Sequence, residues 1–256
     1  MQSEMMDHLS WVAYEERLRD PNAIVLLPVG ALEQHGPHLP LGTDALLSAA
    51  VARSVAQQVG GIVAPTINYG YKSQPKCGGG QHFPGTTSLD SATLVALTCD
   101  IIAELGRHGV RNVAVVSGHY ENQWFLVEGI DLARRRLGSA SAMRIMRLEY
   151  WDFLAEATLQ SIFPEGFPGF ALEHAAVIET SLMLHYFPEL VGMDKLPPDP
   201  VVDFPPYDMY PTHTHWVPAS GVLSSARGAT AEKGRLMADD VSNRIAAALR
   251  TEFMHA

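Results

Sequence analysis

Two cysteines, Cys77 and Cys99, among 256 residues can form one bridge at most, too few for a fold stapled by disulfides in place of a core. Basic residues are scarce as well: 18 Lys+Arg stand against 28 Asp+Glu, a formal charge of −10. No Lys/Arg cluster offsets that deficit, so phosphate backbones and anionic membrane surfaces would be repelled. Nucleic acid and membrane are thereby excluded as partners. Long hydrophobic runs are missing too, since the longest, Ala23 to Leu32, falls short of the roughly 18 residues that a membrane span requires. The opening Met1-Gln2-Ser3-Glu4 lacks the basic and then apolar pattern of a secretory leader, which leads to the expectation of a cytoplasmic protein. What the chain does have is apolar mass, 47% hydrophobic against 18% charged residues. That supports a large buried core and excludes disorder and fibrous repeats.

Apolar β-rich runs at Ile24–Val29, Ile62–Pro65, Val113–Ser117 and near Met143–Leu148 alternate with stretches of helical period at Asp44–Val59, Ser91–His108, Asn122–Leu137 and Ala229–Phe253. The rhythm is β-α-β-α. Strands so uniformly apolar are covered on both faces, which predicts an α/β fold of three layers, α/β/α, with a mainly parallel central sheet. Sites in such folds lie outside the carboxyl ends of the strands. Ser10 reads as an N-cap for Trp11–Arg19, Ser88 or Asp90 as the cap of the long third helix, and Gly109 as its stop. No repeat or shift in composition marks a second domain, so residues 1–256 read as one domain. Its one irregular feature is a Pro-rich and aromatic arm, Lys195–Pro218, too long for an ordinary connector and too aromatic for a free linker. It reads as a lid or an oligomer arm.

The chemistry gathers where the strands end. After the first strand the chain reads Gly30-Ala31-Leu32-Glu33-Gln34-His35-Gly36-Pro37-His38 and continues to Asp44. After the Val113–Ser117 strand it reads Gly118-His119-Tyr120-Glu121-Asn122. In both Glu33/His35 and His119/Glu121 a spacing of two puts the side chains on one side of an extended backbone, where they can reach one centre. A lone His-x-Glu after a strand is ordinary surface, but two such pairs joined by Asp44 point to metal. Glu33, His35, Asp44, His119 and Glu121 supply three bonds to each of two ions if Asp44 bridges them, with a water completing each set. Three protein ligands and an open position are the pattern of a catalytic site, whereas a closed structural site is usually rich in Cys.

Other features carry less. Glu173-His174 offers an acid/base pair at the apparent start of a helix running through Glu179 to His185, where the helix dipole favours a neutral imidazole. An ordinary capped helix accounts for the same residues. His213 and His215 have ligand spacing but no neighbouring carboxylates, and they read as solvated or interfacial. His38 and His82 read as structural. Gly78-Gly79-Gly80 lacks the Lys-Ser/Thr of a phosphate loop, and no serine nucleophile elbow is present.

Taken together these segments resemble the creatininase family nearly end to end. The resemblance is carried by Pro28–Gly36, Tyr69–Gln74, Gly78–Asp90 and Gly118–Asn122, and extended by Tyr150–Phe153, Pro164–Phe167, Glu173-His174 and Gly221–Ala226. It implies an α/β/α fold, a homohexamer built as a trimer of dimers, and two divalent ions, zinc or manganese. By the same resemblance Glu33 and His119 hold one ion, His35 and Glu121 the other, and Asp44 both. Tyr120, Trp151 and Glu173 border the substrate and His174 shuttles the proton, with Glu121 the next candidate for that acid. The implied activity is hydrolysis of a small cyclic amide, creatinine to creatine: a hydroxide attacks the lactam carbonyl while His174 protonates the leaving ring nitrogen.

Two positions depart from the well-known members. Cys77 replaces a serine of the Gly-rich loop and Phe170 a tryptophan over the pocket, and both border substrate. Cys is the weaker hydrogen-bond partner and Phe lacks the indole N–H, so a related lactam or hydantoin is an alternative substrate. Peptide trimming and deformylation, which would retain the five ligands without the Tyr69–Asp90 block, are the other hydrolytic readings. A non-catalytic metal-binding assembly protein is the reading from a different class.

Overall fold

The computed structural model describes residues 3–254 apart from Val201. Four strands form one parallel sheet in the order β2-β1-β3-β4, where β1 is Ile24–Val29, β2 Ile62–Val63, β3 Asn112–Ser117 and β4 Arg144–Glu149. β1 and β3 pair in full register from Ile24 with Asn112 to Val29 with Ser117. All six residues of each are buried, which is the physical basis of the apolar runs Ile24–Val29 and Val113–Val116. The period of two then sorts side chains to opposite faces. Ile24, Leu26, Ala114 and Val116 join one core with residues of α2 (Thr43–Val59), α6 (Val177–Tyr186) and α7 (Ala231–Leu249). Val25, Leu27, Val113 and Val115 join the other with residues of α3 (Ser91–Arg107) and α4 (Gln123–Leu137), against which α1 (Trp11–Leu18) packs. The sheet is thus the middle of three layers, the α/β/α architecture expected.

Local signals hold to different degrees. Ser10 caps α1 by accepting from Ala13 N at 3.2 Å, and Gly109 ends the α3 turn at φ 88°. Asp90 stands at the N-cap of α3 but directs its carboxylate to Lys72 instead of the helix. β2 is shorter than the Ile62–Pro65 run, because Pro65 has no N–H for a ladder. The expected helix over Ala229–Phe253 divides into α7, capped by Thr230, and a π turn at Arg250–Met254. The Glu173-His174 pair is not in a helix: α6 begins at Val177, and Ala175 between them turns through φ 55°. Along the arm, the described residues form only short 3-10 turns, at Met193–Lys195 and Thr214–Trp216. Val201 lies outside the described residues.

Strand order reverses between β1 and β3, since the chain leaves β1 toward β2 on one side and returns to β3 on the other. Ligands bind at such switch points. Two glycines bring α2 into that crevice: a Cβ on Gly30 would stand 2.3 Å from Ala45 N, and one on Gly118 2.5 Å from Asp44 O. Only a bare backbone after each strand admits the first turn of α2, and with it Asp44.

Candidate metal centre

Glu33, His35, Asp44 and His119 are each 4% exposed or less. Asp44 aims its two oxygens at different partners: Oδ1 lies 2.9 Å from His35 Nε2, and Oδ2 lies 3.0 Å from His119 Nδ1. Glu33 Oε1 is 3.4 Å from that same His119 nitrogen, and Glu179 Oε1 is 3.7 Å from His35 Nε2. Three groups of ligand atoms lie within 4.8 Å of one another, Glu33–His35–His174, Glu33–Asp44–His119 and His35–Asp44–Glu179, and the last two are nests built around Asp44. Asp44 belongs to both.

The donor chemistry fits cations. His35 Nε2 and Asp44 Oδ2 are buried without a directed hydrogen bond, although they stand about 3 Å from a polar neighbour. Leaving such atoms unpartnered is costly, and a divalent ion between them is a partner of the right kind. The outward ring nitrogens are engaged, His35 Nδ1 with Glu33 O at 3.1 Å and His119 Nε2 with Tyr71 O at 2.9 Å. In the neutral form a nitrogen that donates to a carbonyl leaves its partner nitrogen with a lone pair, so with a cation in place of the proton both histidines would present that lone pair on the Asp44 side. Burial opposes charge on His35 and His119, but the carboxylates of Asp44, Glu179, Glu33 and Glu121 outweigh it and raise both well above the usual range. Burial likewise opposes ionisation of Glu33 and Asp44, and the same histidines bring both below it. Positive charge is strongly favoured in this nest, which is the electrostatic demand a cation meets.

Glu121 stands apart from both nests. Its carboxylate is 3.4 Å from His119 Nε2, the nitrogen facing away from Asp44, and 3.4 Å from the Gln74 N–H. The spacing-of-two argument requires extended backbone, but the chain enters a 3-10 turn at Tyr120–Asn122 immediately after His119. Glu179 takes the place beside His35. Its signal in the sequence was one carboxylate inside the apolar stretch Ala175–Leu184, a position that buries charge only with a partner.

His174 packs its ring against His35 with centroids 4.4 Å apart. His174 Nε2 lies 2.8 Å from Gln34 O, so that nitrogen carries the proton, and Nδ1, 3.6 Å from Glu33 Oε1, carries the lone pair. Gln34 was not singled out in the sequence, yet it is a hub: its Nε2 donates to Gly78 O at 2.5 Å and Gly221 O at 3.0 Å. Glu173 caps α6 from outside, accepting from Ile178 N at 2.8 Å through Oε2 while Oε1 has no partner. Burial pushes its carboxyl up to about 8, against the lowering by the Ile178 N–H and with help from the Glu179 charge.

The nests open into a cavity of about 290 Å³ lined by Tyr120, Trp151, Phe170, Glu173, His174 and Cys77 among others. Trp151 and Tyr120 lie nearly parallel, 22° apart with centroids at 6.5 Å, and Phe170 meets Phe167 edge-on. Burial, with Glu121 and Glu33 nearby, raises the Cys77 thiol well above its usual value. It is therefore a neutral hydrogen-bonding group, donating to Gln74 O at 2.9 Å, and no nucleophile. His38 is buried with Nε2 3.1 Å from Thr180 Oγ1, whereas His82, His213 and His215 are exposed.

The family model described as "Creatininase: Creatinine amidohydrolase" matches residues 7–249. The chain belongs to the creatininase family. It is 49% identical over 254 residues to the creatinine amidohydrolase of Pseudomonas putida, covering 98% of each chain. A solved manganese creatininase superposes with a TM-score of 0.96 at 48% identity, covering 98% of this chain and 99% of the other. A mutant creatininase of Zn–Zn type does so with the same score and identity over 99% of both. The fold described above, with its four-stranded all-parallel sheet, therefore matches creatininase structures over nearly the whole chain.

Proposed function

We propose that this member of the creatininase family is a metal-dependent amidohydrolase that opens a small cyclic amide, with creatinine, giving creatine, as the substrate. The observation that carries the reading is Asp44, a buried carboxylate that is shared by two three-ligand nests and lines the cavity. Similarity to a creatinine amidohydrolase, 49% identical over 98% of the chain, supports the substrate. A volume of about 290 Å³ suits a small ring better than an extended peptide.

Glu33, Asp44 and His119 would hold one divalent ion and His35, Asp44 and Glu179 the other, with zinc or manganese the metals. When bound, such ions polarise an amide carbonyl and lower the pKa of water enough to make it a nucleophile near neutrality. The chain's own residues do the rest. Trp151 and Tyr120 offer parallel faces to a flat ring, and Cys77, whose S–H is given to Gln74 O, offers its sulfur at the edge as a weak acceptor. His174, held by Gln34 with Nδ1 free, can take up the proton of the attacking water and return it to the ring nitrogen as the C–N bond breaks. Water thereby adds its oxygen to the carbonyl carbon and its hydrogen to nitrogen. Glu173, protonated near neutrality, can donate a hydrogen bond or yield its proton to a basic substituent on the ring.

The chain works as one creatininase-like unit, located in the cytoplasm and assembled as a homohexamer. Trp11 at 76% and Trp124 at 71% exposure supply apolar surface for that assembly, and a monomer by light scattering would remove it. The decisive test incubates zinc- or manganese-loaded protein with creatinine, hydantoins and simple lactams, following the mass gain of one water. Ring opening that stops on chelation and returns with metal is expected. Full turnover in verified metal-free protein would overturn the reading, and no turnover on any ring would favour the metal-binding assembly protein.

A further inference from the structure

We propose that Lys76 is a positioning residue for this reaction: it fastens the arm to the Gly-rich loop and so sets the outer wall of the substrate cavity. The Lys76 ammonium lies 3.0 Å from Asp208 Oδ1 and donates to the Pro205 carbonyl at 3.2 Å. Lys76 belongs to the loop, Asp208 and Pro205 to the arm, and Lys76 and Asp208 both line the cavity. Lys76 is the one Lys or Arg among the described residues that do so, facing a wall that includes Glu33, Asp44, Glu121, Glu173 and Glu179.

The arm depends on such fastening because it has little structure of its own. Around the latch, Tyr207 is 57% exposed and Met209 42%, and no strand ladder or α-helix lies between Lys195 and Pro218 among the described residues. Just past its far end, Gly221 is held by Gln34, whose amide donates to Gly221 O and Gly78 O together. The loop is therefore tied at two places, to the arm by the Lys76 pair and, through the Gln34 amide, to Gly221 just beyond the arm.

Between those two fastenings the loop presses on the reacting groups. A Cβ on Gly78 would stand 1.9 Å from His174 Cδ2 and 2.7 Å from Gly221 O, so the backbone has no slack there. Movement of the loop would shift the Cys77 and Gly78 edge of the cavity against His174. With side chains 26% and 44% exposed, the Lys76–Asp208 pair is partly screened and can open and reform, which makes it a latch and not a permanent tie.

The inference rests on the hydrolase reading for its kinetic test, and limited proteolysis of the arm tests it without any substrate. In Lys76→Met and in Asp208→Asn the arm should be cut faster by protease. KM for creatinine should rise about fivefold, the weight of one partly exposed ion pair, while kcat moves less than twofold. The double variant should be no worse than either single one, because both remove the same pair. Lys76→Arg should restore KM, and raised salt should raise KM in the natural chain but not in Lys76→Met. Additive effects, a loss in kcat instead of KM, or unchanged cleavage of the arm in folded variants would overturn the latch. If the natural chain opens no ring while the variants still expose the arm, the hydrolase reading fails and the latch stands.

Discussion

Replacing Glu173 by Gln isolates one buried carboxyl whose ionisation the fold opposes. Glu173 is 7% exposed, one oxygen accepts from Ile178 N and the other has no partner. Burial raises its pKa from an ordinary 4.5 to about 8. Between those values the folded protein keeps a proton that the unfolded chain has lost. The unfolded state then binds fewer protons, so stability falls as pH rises through that window and levels off above about 8. At 1.36 kcal/mol per pH unit the full gap corresponds to about 5 kcal/mol. Glutamine keeps the carbonyl that accepts from Ile178 N and cannot ionise, so it removes this penalty. Urea unfolding of metal-free protein at pH 5, 7 and 9 should give a stability difference, Glu173→Gln minus natural, that is small at pH 5 and grows by several kcal/mol by pH 9. Metal-free samples are needed because cations near Glu179 would lower the same carboxyl. A difference that stays flat with pH would refute the reasoning, since it would mean that Glu173 is solvated or already ionised in the fold.

His174→Ala should lower turnover by about 10²–10⁴ while both metals stay bound, the weight of general acid–base catalysis; loss of metal on elemental analysis would instead make His174, which lies within reach of Glu33 and His35, a ligand. Asp44→Asn should loosen both ions at once, because a single carboxylate serves two nests and an amide oxygen carries no charge to share. Two tightly held ions in that variant would contradict the shared carboxylate.

Much of this was legible in the linear chain because it depends on local pattern. The apolar runs of β1 and β3, separated by helical periods, specify strands buried on both faces, and therefore a sheet between helices with sites at the strand ends, while β4, Arg144–Glu149, is a partly exposed edge strand. Glu33, His35, Asp44 and His119 could be singled out as candidate ligands the same way, since each follows a strand or opens a helix, and the fold brings the four together. What adjacency could not decide was how those segments meet. Glu121 is near His119 in sequence, but the 3-10 turn that follows His119 rotates its carboxylate to the other face of the ring. Glu179 is far in sequence from Glu33, His35, Asp44 and His119, and only the packing of α6 against α2 through a common core brings it to His35. The same holds for Gln34, whose amide joins Gly78 to Gly221, and for Lys76, whose partner lies in the arm. Periodicity records which way a side chain faces on its own element; distance between elements is set by the close approach at Gly30 and Gly118, where a missing Cβ lets α2 enter the crevice.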